Sequence, residues 1–105
     1  MRILLDQGTP APLRDALTGH SVETAYELGW SKLSNGDLLA AAEAAAFGLL
    51  ITTDHILRYQ QNLSGRRLAI LVLPTTRWRQ IQARVAEVVS AVTSIRPGEY
   101  RELNW

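Results

Sequence analysis

The stretch Phe47-Gly48-Leu49-Leu50-Ile51-Thr52-Thr53-Asp54 decides the architecture. Its apolar core, Leu49 to Ile51, is continuous rather than alternating, which is the pattern of a central parallel strand covered on both faces. It ends in two threonines and an acid. Upstream, Ile3-Leu4-Leu5 has the same character and ends in Asp6, and downstream Leu68 to Leu73 forms a third such run closed by Pro74. Ser21 to Ala25 is a further brief strand, and Glu99 to Leu103, after Pro97-Gly98, reads as an edge strand.

Helical segments fall between these runs. Thr9-Pro10 fits an N-cap with Pro at the first helical position, and Leu13 and Leu17 give the helix that follows a buried stripe up to Thr18-Gly19. Ser34 or Asn35 caps an alanine-rich helix from Gly36 to Ala46, whose small side chains suit close packing on a sheet. A short helix through Ile56, Leu57 and Tyr59 stops by Ser64-Gly65. Ile81, Val85, Val88, Val89 and Val92 mark one long amphipathic helix from Thr76 to Ile95. Strand and helix alternate throughout, so the expected class is α/β, a parallel sheet wound by right-handed crossovers.

At 105 residues, 47% of them apolar and 20% charged, the chain makes one domain, residues 1–105. It has no cysteine, which removes disulfide frameworks, thiolate nucleophiles and cysteine-bound metals, and suits a reducing compartment. Without a signal-peptide core or a run near the ~20 apolar residues of a membrane span, a cytoplasmic protein with no membrane association is expected.

The net charge of +1 conceals a segregation. Residues 1–54 carry seven acids against three bases, whereas residues 55–86 carry six arginines and no acid. Ten of the eleven basic residues are arginine, whose planar fork pairs bidentately with phosphate, so a phosphate-bearing partner is indicated. Arg77, Arg79 and Arg84 also fit the solvated face of a helix; Arg58, Arg66 and Arg67 carry more weight.

In open parallel sheets the functional crevice lies outside the carboxyl ends of the strands, near the point where strand order reverses. Asp6 and Asp54 sit at such ends. Asp37 opens the helix that leads into the strand ending at Asp54, so its side chain is expected at the same rim. Singly, each acid also fits a turn, a helix dipole or a cap. Three converging carboxylates raise one another's pKa unless a cation lies between them, and an oxygen-only donor set favours Mg²⁺ or Mn²⁺. Such an ion activates a water and stabilises charge on a phosphoryl group, which is phosphodiester hydrolysis. Thr52, Thr53 and His55 are expected to support these acids. Arg58, Tyr59, Gln61 and Asn62, just beyond Asp54, suit contacts to phosphate, base and sugar of unpaired RNA.

The residues Asp37-Leu-Leu-Ala-Ala-Ala, Phe47-Gly48 and Leu49-Leu-Ile-Thr-Thr-Asp54, with Ile3-Leu4-Leu5-Asp6, Pro10 and Leu13 before them, resemble the short stand-alone PIN-like proteins, a family that includes ribonuclease toxins of bacterial toxin–antitoxin pairs. The likeness spans residues 2 to 73. It implies a PIN-like three-layer sandwich with a mainly parallel sheet of four to five strands, a Mg²⁺- or Mn²⁺-dependent ribonuclease activity and a cognate antitoxin protein as partner. Asp6, Asp37 and Asp54 match the family's acidic positions. Where many members carry Asp-Glu after the first strand, this chain has Asp6-Gln7; an amide oxygen ligates a metal but supplies no charge. A catalytically inert module that binds RNA or a protein in the same crevice is therefore the alternative. A phospho-acceptor receiver is excluded because such a fold needs a lysine after its last strand, and the one lysine here is Lys32. Trp30, Trp78 and Trp105, if exposed, would anchor an interface such as a homodimer.

Overall fold

The computed structural model describes all 105 residues. Five strands, β1 (Arg2–Leu5), β2 (Ser21–Thr24), β3 (Leu49–Thr52), β4 (Ala69–Val72) and β5 (Tyr100–Glu102), form one sheet in the order β2-β1-β3-β4-β5. Every neighbouring pair is parallel. β3 and β4 are buried at every position, as their unbroken apolar runs require.

Side chains alternate between two cores. One face carries Ile3, Leu5, Leu49, Ile51, Leu71 and Leu73 against a 3-10 helix (Ala11–Ala16) and helices α3 (Trp78–Ala83) and α4 (Val85–Ser94). The other carries Leu4, Leu50, Ile70 and Val72 against α1 (Asn35–Ala44) and α2 (Leu57–Gln60). Helices thus cover both faces of the sheet, giving three layers. No helix is long and apolar enough to cross a membrane.

Several boundaries differ from the sequence expectation. The segment after Pro10 is a six-residue 3-10 turn rather than an α-helix, and Thr9 does not cap it, because its side chain serves the first strand's end instead. α1 is capped by the Ser34 hydroxyl and ends at Ala44, two residues early, since Ala46 adopts a left-handed φ of 62° before Phe47. The long C-terminal helix is two helices meeting at Arg84, whose φ of −122° interrupts the helical path while Ile81 and Val88 stay on the core side.

The winding also departs from the uniform right-handed pattern. The crossovers β1 to β2, β2 to β3 and β3 to β4 share one hand, but β4 to β5 continues in the same direction across the sheet over the opposite face, so its hand is reversed. The 3-10 helix is too short to cover Ile51, Leu71 and Leu73, and α3 and α4 lie over that uncovered apolar surface.

Gly98 closes the turn into β5. Its φ is +75°, and a Cβ there would stand 2.7 Å from the Arg66 carbonyl oxygen, a backbone atom that cannot swing aside. Gly98→Ala is expected to cost about 1–3 kcal/mol through left-handed strain and the clash. Chemical denaturation checks this; a midpoint equal to that of the parent chain would contradict it.

Candidate functional site

Strand order reverses between β1 and β3, since β2 lies to one side of that pair and β4 to the other. Asp6 and Asp54 follow the carboxyl ends of these two strands, so both occupy the rim where crevice chemistry gathers in such sheets.

Asp6 is well built in. Thr52, the last residue of β3, donates its hydroxyl to Asp6 Oδ2. The Thr9 hydroxyl donates to Asp6 Oδ1 at 2.7 Å and lies 3.0 Å from the Ile51 carbonyl. Burial raises the Asp6 pKa above the ordinary 3.8, against the opposing pull of the Thr52 and Thr9 hydrogen bonds. The Thr52 oxygen in turn accepts the Asp54 N–H at 3.1 Å, so one hydroxyl ties both strand-end acids together.

Asp54 accepts the Ile56 N–H at 3.0 Å through Oδ1 and the Asn35 amide at 2.9 Å through Oδ2. The first contact is the short-range capping turn typical of an aspartate before a helical segment. The second brings the start of α1 to the rim. Asn35 also donates to Gln60 at 3.1 Å, and Gly36 packs so near Gln61 that a Cβ would stand 3.0 Å from Gln61 Oε1.

Asp37 lies in the first turn of α1, exposed, with its N–H capped by Ser34 at 3.3 Å. The expected convergence of three carboxylates is only partly realised: no three Asp, Glu or His side chains stand close enough to share one ion. Asn35, two residues before Asp37, contacts Asp54 in its place. The donor chemistry of the rim, carboxylates with hydroxyl and amide neighbours, nevertheless fits a hard divalent cation, because Mg²⁺ commonly takes one or two carboxylates and fills its remaining positions with water and substrate oxygens.

The other expected residues are dispersed. Gln7 is exposed beside Asp6, and Thr53 packs under Gly8, where a Cβ would stand 2.7 Å from the Thr53 hydroxyl. His55 is exposed. Arg58 donates to the Tyr59 hydroxyl at 2.6 Å, lies 3.9 Å from Glu102 and stands over the Tyr100 ring, which turns it toward β5. Asn62 caps its own loop by accepting the Ser64 N–H. Of this stretch, Gln60 and Gln61 are the residues that meet the start of α1. Nor is the acid-free arginine tract one surface. Arg66 pairs with Glu43 at 3.5 Å, and Arg67 lines a cavity of about 780 Å³ at the amino ends of the strands, opposite the acids.

A cleft of about 790 Å³ opens beside Asp6 between the β1 loop, the 3-10 helix and the start of α3; Asp54 and Asp37 do not line it. Within it Arg14 donates to Glu27, whose pKa is lowered chiefly by that contact.

Sequence reasoning missed Thr9 and Asn35 as partners of the acids. The signal for Asn35 was present in the Ser34-Asn35 pair before the helix, since one cap suffices and the other amide is free to reach across.

Asp6→Asn is expected to stabilise the fold at neutral pH. An acid whose folded pKa is raised holds its proton more tightly when folded, so the cost of ionising it is absent below 3.8 and grows as pH rises through the shifted value. The variant's melting temperature should exceed the parent's at pH 7, and the gain should vanish below pH 3.8. A pH-independent difference in melting temperature would contradict this.

Compared with known proteins, the chain matches no family model, no curated protein and no solved structure.

Proposed function

We propose that the protein is a Mg²⁺- or Mn²⁺-dependent ribonuclease of the PIN-like kind, with Asp6 and Asp54 as the central pair and Asp37 at the outer rim. One observation carries the reading: at the reversal of strand order a single hydroxyl, that of Thr52, donates to the Asp6 carboxylate and accepts the Asp54 backbone N–H, tying the two acid-bearing strand ends together.

When bound, the ion supplies a polarised water and neutralises charge developing on the phosphoryl oxygens. This chain's residues supply the rest. Thr52 fixes the orientation of the Asp6 carboxylate and of the Asp54 backbone, and Asn35 holds Asp54 Oδ2 in place, so the rim is ordered before anything binds. Gln7, exposed beside Asp6, offers a neutral oxygen.

The toxin role belongs to the same proposal, with a cognate antitoxin as partner: expression of the chain should slow bacterial growth, and the antitoxin should relieve it. A second reading, an inert binding module in the same crevice, is favoured by Gln7 in place of an acid and by the absence of any three Asp, Glu or His side chains close enough to share one ion.

Incubating a fluorophore–quencher single-stranded RNA with the protein separates the two. The proposal expects cleavage with Mn²⁺ or Mg²⁺ that stops with EDTA; binding without cleavage under every divalent ion supports the inert module.

A further inference from the structure

The cavity of about 780 Å³ at the amino ends of the strands takes no part in the proposed cleavage. It opens where the two cores meet: Ile95 belongs to one, Phe47 and Leu68 to the other, and all three reach its wall. Met1, 47% exposed, and Pro97 complete the apolar lining. The face of the Phe47 ring is already taken, since the Arg2 guanidinium stands 4.2 Å from its centroid. What remains is mainly aliphatic surface, with a thioether flexible enough to follow a ligand's outline.

Ligand pockets of roughly 300–1,000 Å³ combine such a wall with a few polar groups that fix orientation. Here those groups are cations. Arg67 and Arg96 line the cavity, are exposed and form no ion pair. The acids close to them in the fold are committed elsewhere: Glu43 to Arg66 at 3.5 Å and Glu99 to Arg101 at 2.8 Å. The Gly98 N–H donates to the Arg67 carbonyl at 2.9 Å, which ties the loops before β4 and β5 together, so both arginines leave one junction.

We propose that this cavity binds a small aliphatic carboxylate, its chain laid along Met1, Leu68, Ile95 and Pro97 and its head held by Arg67 and Arg96. A guanidinium fork matches the two oxygens of a planar carboxylate. The second charge and third oxygen of a phosphate head find no further donor, because the remaining charged group on the wall, Glu43, is an acid. The inference does not rest on the nuclease reading, whose acids lie at the other end of the strands.

The test titrates octanoate into the whole chain at pH 7 and follows the backbone amide signals. Saturating shifts are expected at Ala46, Gly48, Arg67 and Arg96, with Asp6 and Asp54 unmoved. From hexanoate through octanoate to decanoate, each methylene should tighten binding by up to about fourfold, the effect of burying it. Arg67→Gln and Arg96→Gln, both at exposed positions, should each weaken octanoate by up to about fivefold, as for a partly exposed ion pair. Octanol and octylamine, which keep the chain and lose the negative charge, should bind more weakly than octanoate.

Equal affinity for octanol or octylamine, or unchanged octanoate affinity when both arginines are replaced by Gln, overturns the proposal. So does affinity that is flat with chain length, or acetate bound as tightly as octanoate, either of which reduces the site to a patch of surface charge. Tighter binding of octyl phosphate overturns the carboxylate assignment. None of these outcomes depends on RNA cleavage, so failure here and failure of the nuclease reading are told apart.

Discussion

Asp54→Asn should reduce divalent-ion-dependent RNA cleavage by at least about 100-fold while leaving the fold intact. The substitution keeps the side chain's shape and one acceptor oxygen, so the turn made by the Ile56 N–H survives, but it removes the negative charge at the rim and turns the group facing Asn35 into a donor. Loss of residues that merely orient a metal ligand already costs 10- to 100-fold, so loss of the charge itself should cost more. Asp6→Asn should act in the same direction on activity and the opposite direction on stability. That combination separates a working acid from a structural one, because a group kept only for folding would lose both together. Comparison of cleavage rates and melting temperatures across the two variants checks it. Undiminished cleavage by the Asp54→Asn chain would refute the assignment.

The second large effect lies in the sheet. Leu71 is fully buried in β4, paired with Ile51 of β3 and Arg101 of β5, and belongs to the core beneath α3 and α4. Leu71→Ala should cost about 2–5 kcal/mol, because the rigid neighbouring strands cannot close the cavity. Against a total of about 5–15 kcal/mol for a domain of this kind, that is a large part of the stability. Leu71→Met should cost under about 1.5 kcal/mol, and Val89→Ala, on the outer side of α4, under about 0.5 kcal/mol. Urea unfolding of the three variants gives the ranking. A Leu71→Ala midpoint close to that of Val89→Ala would contradict the buried position of β4.

The central strands were legible because their signal is local. Leu49 to Ile51 and Ala69 to Val72 have no polar residue to expose, so only a strand covered on both faces accommodates them. The break at Arg84 was not legible: no Gly or Pro marks it, and Ile81, Val88 and Val92 keep a helical spacing across it. The reversed final crossover was hidden for a related reason, since it depends on which face the short 3-10 helix leaves uncovered, a property of the assembled sheet.

At the site, strand-end acids could be read from where the apolar runs stop, which places Asp6 and Asp54. Thr9 and Asn35 could not be found that way. Asn35 has a local role available as a cap and instead serves Asp54, distant in the chain, while Thr9 serves Asp6 within its own loop and reaches the Ile51 carbonyl of β3. Asp37 shows the converse: its place in the first turn of α1 was correctly read, but helical phase directs the neighbouring Asn35 to Asp54.

Paramagnetic broadening by Mn²⁺, followed on backbone amide signals of the full chain, tests the pair of acids most directly. Substoichiometric Mn²⁺ should erase the signals of Asp6, Gln7, Thr52 and Asp54 first and leave those of Arg67 and Arg96 at the opposite edge sharp. Uniform loss across the surface, or no loss at millimolar Mn²⁺, would show that these carboxylates hold no ion.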